Sequence, residues 1–343
     1  MRALLVSILV GNVLSGPVAA QPCASSSCQA FVPIEDGSGV VVHRSHDFES
    51  GSTVVRRLVL VVHGSGRNAG NVFGNIVAGA AALDRLDETL VIAPFFKTAE
   101  DAPAPADLYW SDGGWKRGDR SQDVQRISSF EVVDRILQAV IDSGRFPSLG
   151  NVTVTGHSAG GQFTQRYAVG SRLPGVYPEL EFNYVVMNPS SYMYLNAYRP
   201  VVGDVGAFEI PDGCAGYDEY KYGLIDRNSY MSRYSAAEIT AQYLERHVTY
   251  LVGSEDTSRT DNLDTSCAGD AQGTTRYERG LAYAAHIELF FPSNDHTGAV
   301  IAGVGHDSGD MASSAVGLAA IFVELGAGPP DLVPKPPTEL RAE

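Results

Sequence analysis

The sequence predicts an α/β fold, with a mostly parallel central sheet and helices on both of its faces. Three observations carry that expectation. Short apolar, β-branched runs alternate along the chain with segments of helical periodicity. The runs are apolar at consecutive positions, as in Leu58-Val59-Leu60-Val61-Val62, which marks strands buried on both faces of a parallel sheet. The chain has 343 residues and no internal repeat, enough for one large domain with a substantial core.

Taken in order, strands are expected near residues 54–62, 89–94, 151–155, 182–187, 247–252 and 299–303. Helices are expected near 71–83, 129–142, 159–169, 235–245, 275–289 and 310–325. The second helix opens on Ser128-Ser129-Phe130-Glu131, a capping-box signature, ahead of Val132, Val133, Ile136, Leu137 and Val140 at helical spacing. Asn151-Val152-Thr153 is formally a glycosylation sequon, but it enters a strand expected to be buried and is discounted.

The start of the chain reads as a secretory signal peptide over residues 1–20. Met1-Arg2 is basic, residues 3–14 are mostly apolar yet too short to span a bilayer, and Val18-Ala19-Ala20 offers small residues before Gln21. Residues 21–50 are then an N-terminal extension and residues 51–325 the main domain. Residues 326–343, from Gly326-Ala327-Gly328-Pro329-Pro330 onward, form a Pro-rich tail expected to be disordered. A secreted or periplasmic location follows, with no membrane span in the mature chain.

The formal net charge is −15. So acidic a chain repels phosphate backbones and anionic headgroups, which excludes nucleic acid and membrane surfaces as expected partners. The four cysteines suit an oxidising compartment, and none has zinc-ligand spacing. Cys23 and Cys28 are near neighbours, while Cys214 and Cys267 sit in Gly/Asp-rich loops on either side of the strand near 250. The expected pairs are Cys23–Cys28 and Cys214–Cys267.

The candidate chemistry centres on Ser158. The run Val152 to Thr155 meets Gly156-His157-Ser158-Ala159-Gly160 and a helix follows, the strand–turn–helix setting of a G-x-S-x-G nucleophile elbow. The strand at 58–62 ends in His63-Gly64-Ser65-Gly66, a turn suited to a backbone oxyanion donor at Ser65, with Ala159 N–H as the other. His63 reads as a structural histidine bonding that turn. The strand near 250 runs into Gly253-Ser254-Glu255-Asp256, where Asp256 is the candidate acid and Glu255 the alternative. The last strand ends in Gly303-Val304-Gly305-His306, and His306 is the candidate base. His157 sits inside the elbow and His286 within a helical stretch, so His296 is the main rival.

On these residues, in the order Ser158, Asp256, His306, the chain resembles the α/β-hydrolase family over nearly all of residues 50–325. Within the family it is similar to secreted esterases and depolymerases of the feruloyl-esterase and polyhydroxyalkanoate-depolymerase type. The resemblance implies an α/β-hydrolase fold with an insertion at about 188–235, after the strand that follows the nucleophile helix. It also implies a serine hydrolase that cleaves carboxylic esters, small or polymeric, through an acyl-enzyme, with no metal or cofactor. Residues 188–235 and 261–280 match no part of that pattern, so the substrate does not follow from it. A peptidase or acyltransferase with the same triad, or a non-catalytic binding protein on this scaffold, are the alternatives.

Two segments are candidates for a substrate pocket. Tyr109, Trp110 and Trp115 lie in a Gly-rich loop after the strand at 89–94, and Tyr192 opens the insertion. Most tyrosines of the insertion, among them Tyr194, Tyr198, Tyr217, Tyr220 and Tyr222, read as packing for an irregular segment.

Overall fold

A computed structural model describes residues 22–25, 28–260 and 262–323. The secretory segment and the Pro-rich tail expected from the sequence lie outside the described residues.

Consecutive apolar residues along a strand need a core on each side, and the sheet has both. Its strands are β1 (Gln29–Glu35), β2 (Ser38–Arg44), β3 (Arg57–Val62), β4 (Thr89–Pro94), β5 (Asn151–His157), β6 (Glu181–Met187), β7 (His247–Gly253) and β8 (His296–Ile301). Their order across the sheet is β1-β2-β4-β3-β5-β6-β7-β8. The β1–β2 and β2–β4 pairs are antiparallel and every other pair is parallel. In β3, Leu58, Leu60 and Val62 enter one core while Val59 and Val61 enter the other.

The first core is closed by α2 (Ser129–Asp142), α3 (Ala159–Gly170), α4 (Ala236–Leu244) and α5 (Arg276–Phe290), through residues such as Ile136, Phe163, Ile239 and Tyr283. The second is closed by α1 (Ala69–Ala82), α6 (Ser308–Ser313) and α7 (Ala315–Ile321), through Phe73, Ile76, Met311 and Ile321. Removing one such side chain from water contributes about 1.5–3 kcal/mol, so this two-sided burial is the main stabilising term.

The structure departs from the sequence reading in three places. Residues 29–44, expected in an extension, supply two strands of the main sheet. Strand β1 is an edge strand with few buried residues, and it contains Pro33, tolerated there because an edge leaves one row of backbone groups unpaired. The helix expected at 310–325 is two helices broken at Ser314, whose side chain accepts from Gly317 N–H and so starts the second. The capping box of α2 is half formed. Ser128 accepts from Phe130 N–H at 3.2 Å, whereas Glu131 bonds Arg135 at 2.8 Å and Arg233 at 2.5 Å. Asn151 is buried within β5, as expected for the discounted sequon.

Both disulfides are present as expected. Cys23–Cys28 and Cys214–Cys267 have Cα–Cα distances of 5.9 and 5.8 Å. The second links the segment after β6 to the loop after β7. That insertion carries a small hairpin, Arg199–Val201 with Asp204–Glu209. It is held by Arg199, fully buried, which donates to the carbonyls of Asn196, Tyr198, Tyr217 and Tyr222 and to Asp218.

Helix α3 is buried over its whole length and must approach the sheet closely. A Cβ on Gly160 would overlap the Val62 carbonyl oxygen. Gly160→Ala is therefore expected to lower stability by about 1–3 kcal/mol, read as a lower urea midpoint at unchanged slope.

Asp134 on α2 accepts from Tyr167 Oη (2.8 Å), Ser171 Oγ (3.2 Å) and Tyr230 Oη (2.7 Å). Burial nonetheless pushes its carboxyl up to about 6, the three hydroxyl bonds opposing it. The folded protein thus keeps a proton that the unfolded chain has released above its ordinary value near 3.8. The stability this gives is full below about pH 4 and is lost as pH rises through about 6. Asp134→Asn should remove the dependence. Denaturation at pH 4 and pH 7 should show the variant gaining on the parent by on the order of 2 kcal/mol at the higher pH.

Candidate active site

The parallel strands β3, β5, β6, β7 and β8 end together on one edge of the sheet, and the candidate residues lie on the loops that leave it. Ser158 joins β5 directly to α3. Its φ of 59° and ψ of −116° lie in a region a side-chain-bearing residue rarely occupies. The neighbours hold it there: Ser158 N–H donates to Met187 O at 2.9 Å, and Gln162 N–H to Ser158 O at 3.0 Å. The elbow closes only without side chains at its flanks, since a Cβ on Gly156 would lie 2.5 Å from the Gly160 backbone.

His306 follows β8 and Asp256 follows β7. Ser158 Oγ is 3.0 Å from His306 Nε2, and His306 Nδ1 is 2.7 Å from Asp256 Oδ2. With the proton on Nδ1 donated to Asp256, Nε2 is left to accept from the Ser158 hydroxyl. Asp256 is 1% exposed, and its second oxygen, Oδ1, is 3.7 Å from Arg276 Nη1, also fully buried. The guanidinium compensates a carboxylate that has little water around it. Glu255, the alternative acid, is exposed and accepts from Ser254 Oγ at 3.2 Å, apart from His306.

The remaining histidines take structural positions. His63 is fully buried; its Nε2 accepts from Phe96 N–H at 3.1 Å and its Nδ1 faces Gly64 O at 2.9 Å. Burial pushes it down to about 4, so it stays neutral and supports the turn, as expected. His296 sits between Tyr250 Oη and the Tyr243 carbonyl, and burial pushes it down to about 4. His286 is buried in α5, where burial lowers it to about 3. His157 packs against His306 with ring centroids 4.5 Å apart and planes tilted by 41°, and burial first, then His306 and Arg276, drives it well below its ordinary value. His157, Asp256 and His306 bring three ligand-type atoms within 4.8 Å of one another, the one such cluster among the described residues. Two of those atoms already bond each other.

Ser65 and Ala159 flank the nucleophile on the β3 and α3 sides. Among the described residues neither backbone N–H donates to a backbone acceptor, as an oxyanion pair requires. The Ser65 side chain accepts from Asn262 Nδ2 at 3.4 Å. The pocket expectation is corrected for three residues. Trp110, Trp115 and Tyr192 are fully buried, with no face left for a substrate. Trp110 Nε1 donates to Ile127 O, Trp115 packs against His63 at 4.6 Å, and Tyr192 stacks on Tyr283 at 4.4 Å. The loop carrying the tryptophans folds inward over α2 and α3, where their area stabilises more than exposure would. Tyr109 is half-buried.

Two residues at the site carry no sequence motif. Asn188, just past β6, accepts from Gly253 N–H at 2.9 Å and donates to Gly305 O and His157 Nε2, both at 3.3 Å. It ties the acid strand, the histidine loop and the elbow together. Arg276, at the first turn of α5, backs Asp256. Their only sequence signal is position: a polar residue after an apolar strand, and a cation after the helix cap Thr275.

No family model matches the chain, and no curated protein matches it. Solved structures do. A poly(3-hydroxybutyrate) depolymerase from Bordetella parapertussis aligns with a TM-score of 0.60 at 20% identity, covering 85% of this chain and 94% of that one. A poly(aspartic acid) hydrolase from Sphingomonas sp. KT-1 aligns with a TM-score of 0.59 at 19% identity, covering 85% and 97%. With the strand order and crossovers described above, these similarities establish that the chain has the α/β-hydrolase fold.

Proposed function

We propose that the protein is an exported serine hydrolase that cleaves carboxylic esters. The observation that carries this reading is the continuous relay from Ser158 Oγ through His306 to buried Asp256. A serine hydroxyl is a weak nucleophile, and it becomes a useful one when a neutral imidazole accepts its proton as the bond to the acyl carbon forms. His306 takes that proton, Asp256 holds the imidazole in the reactive tautomer and stabilises the imidazolium, and the N–H groups of Ser65 and Ala159 receive the oxyanion. His306 then returns the proton to the leaving alcohol, and water repeats the sequence to release the acid. The names of the two similar structures support a hydrolase and keep polymers among the candidate substrates. Two disulfides support an oxidising compartment, and no helix of the described residues is long and apolar enough to cross a membrane.

Ser158→Ala should fold as the parent does and lose ester hydrolysis by several orders of magnitude, leaving roughly 10³ over water from binding and the oxyanion donors. Fluorophosphonate labelling of the parent alone, with 4-nitrophenyl ester turnover, checks this; a Ser158→Ala variant of near-parental activity would overturn the reading.

Asp256→Asn should lower turnover by about 10⁴, because it favours the wrong imidazole tautomer. Glu255→Gln should leave turnover within a few-fold of the parent. Reversed effects would move the acid to Glu255.

A further inference from the structure

Three cations crowd the wall next to the oxyanion turn, and only one of them is bonded to a carboxylate. Arg166 lies on α3, two turns past Ser158, and is fully buried. Its guanidinium bonds only neutral acceptors: Ser191 Oγ at 2.9 Å, Gln162 Oε1 at 3.3 Å, and the carbonyls of Lys221, Lys116 and Ser191 at 3.3, 3.4 and 3.5 Å. Lys221, in the insertion after β6, donates to Asp264 Oδ2 at 2.7 Å. Lys116, half-buried beside Trp115, has no hydrogen bond or ion pair of its ammonium among the described residues.

Arg117 pairs with Asp119 at 3.1 Å. Asp112 reaches Arg67 at 3.4 Å, which also pairs with Glu100 and Asp101, and its charge acts on Lys116 as well. Lys116, Lys221, Arg166 and Arg117 thus face Asp264, Asp119 and Asp112, a local balance on the cationic side inside a chain whose formal net charge is −15. Partly desolvated like charges are unfavourable together unless an anion joins them. The side chains register this. Burial first, then Arg166, pushes Lys221 down to about 8. Burial also lowers Lys116, with Asp112 opposing and Arg166 and Arg117 adding to it, and burial brings Arg166 down to about 10.

The cluster borders the nucleophile through three contacts. Arg166 bonds Gln162, whose N–H starts α3 by donating to Ser158 O. Trp115, next to Lys116, packs on His63 at the base of the Ser65 turn. The loop bearing Asp264 also bears Asn262, which reaches Ser65 Oγ. Arg166 in turn stitches both lysine-bearing segments to α3.

We propose that Lys116 and Lys221 form an anion subsite beside Ser158 that receives a carboxylate on the substrate, so that the preferred substrates are esters carrying a free carboxylate. The proposal rests on the serine-hydrolase reading above. Asp264 occupies one side of Lys221, and the ammonium of Lys116 is the group left for the incoming anion. Arg166 adds charge from behind, and its own hydrogen bonds fix the two segments. The net acidity of the chain excludes long polyanions at a distance, whereas this wall reverses the sign locally.

The test compares monomethyl glutarate and monomethyl adipate with their uncharged ω-amides, followed by acid release at pH 7 and low salt. The parent enzyme should favour the carboxylate-bearing ester by about tenfold in kcat/KM, the value of one charge-assisted hydrogen bond. That ratio should fall toward one in Lys116→Met and in Lys221→Met, and be largely kept in Lys116→Arg. In the parent it should decline as pH rises through about 8, where Lys221 loses its proton. Equal rates on charged and uncharged esters, or a preference that survives both methionine variants, overturn the subsite and leave the hydrolase reading intact. If neither ester is hydrolysed while a fluorophosphonate still labels Ser158, protection of Ser158 by adipate supports the subsite and lack of protection overturns it. Absence of both hydrolysis and labelling overturns the hydrolase reading, and the subsite with it.

Discussion

Ser158 can present its hydroxyl only because its own backbone is held at a positive φ, and that geometry sets demands on everything around it. A residue in this conformation stores on the order of 1–3 kcal/mol of strain, so the surroundings must over-determine it. They do so by contact. Gly156 and Gly160 face each other, Gly160 lies against the Val62 carbonyl, and Gly161 lies against the Met187 carbonyl. Strands β3, β5 and β6 and the start of α3 are thereby fixed at their closest approach at one point. The same approach leaves the first N–H of α3 facing outward beside the hydroxyl. Strain at Ser158 and a free first N–H of the helix, the proposed nucleophile and oxyanion donor, are thus two consequences of one turn.

The histidine and the acid arrive on loops, which by themselves are poor at holding a 3 Å contact. Asn188 supplies the missing rigidity. Its amide bonds one group on each of three neighbouring segments, and its backbone N–H donates to Leu251 O at 3.0 Å. The Cys214–Cys267 bridge acts at longer range, closing a separation of 53 residues that contains Asp256. In the chain-entropy account such a closure contributes about 4 kcal/mol, and here it also limits how far the acid loop can move from β7. Thr275, which caps α5 by accepting from Glu278 N–H, orients Arg276 toward Asp256 from the opposite side.

What could be read from the sequence follows from how local each signal is. Five of the six expected strands, β3 to β7, are interior to the sheet, where burial on both faces forces runs of consecutive apolar residues; the sixth, β8, lies at the edge and shows itself by the short run Ala299-Val300-Ile301. Strand β1 escaped because an edge strand needs no such run, and Gln29-Ala30-Phe31-Val32-Pro33-Ile34-Glu35 looks like a loop; β2, paired on both sides, escaped because its apolar run is only Val40-Val41-Val42. Ser158, Asp256 and His306 were legible because glycine-rich turns after strands mark the edge of the sheet where they meet. Arg276, Asn188 and the Lys116–Lys221 wall were not, since each depends on segments distant in sequence packing together. Trp110 and Trp115 were misread for a related reason. A Gly-rich polar loop suggests exposure, and only the tertiary structure shows that it folds its indoles under Phe96 and His63.

The electrostatics of the site depend on which groups are kept neutral. His157 touches His306 ring to ring, and a second imidazolium there would oppose the one that the proposed mechanism forms on His306. Burial prevents that by holding His157 well below its ordinary value, while Asn188 occupies its Nε2. Arg276 carries the same risk, because a cation near His306 also disfavours imidazolium. Its position behind Asp256, on the oxygen that His306 does not use, directs that charge at the carboxylate instead. His306 thus sits between a histidine kept neutral by burial and a carboxylate backed by a cation. That arrangement places three buried polar residues, His157, Asn188 and Arg276, behind Ser158, His306 and Asp256, so this end of the sheet is packed against polar side chains where hydrocarbon would otherwise stand.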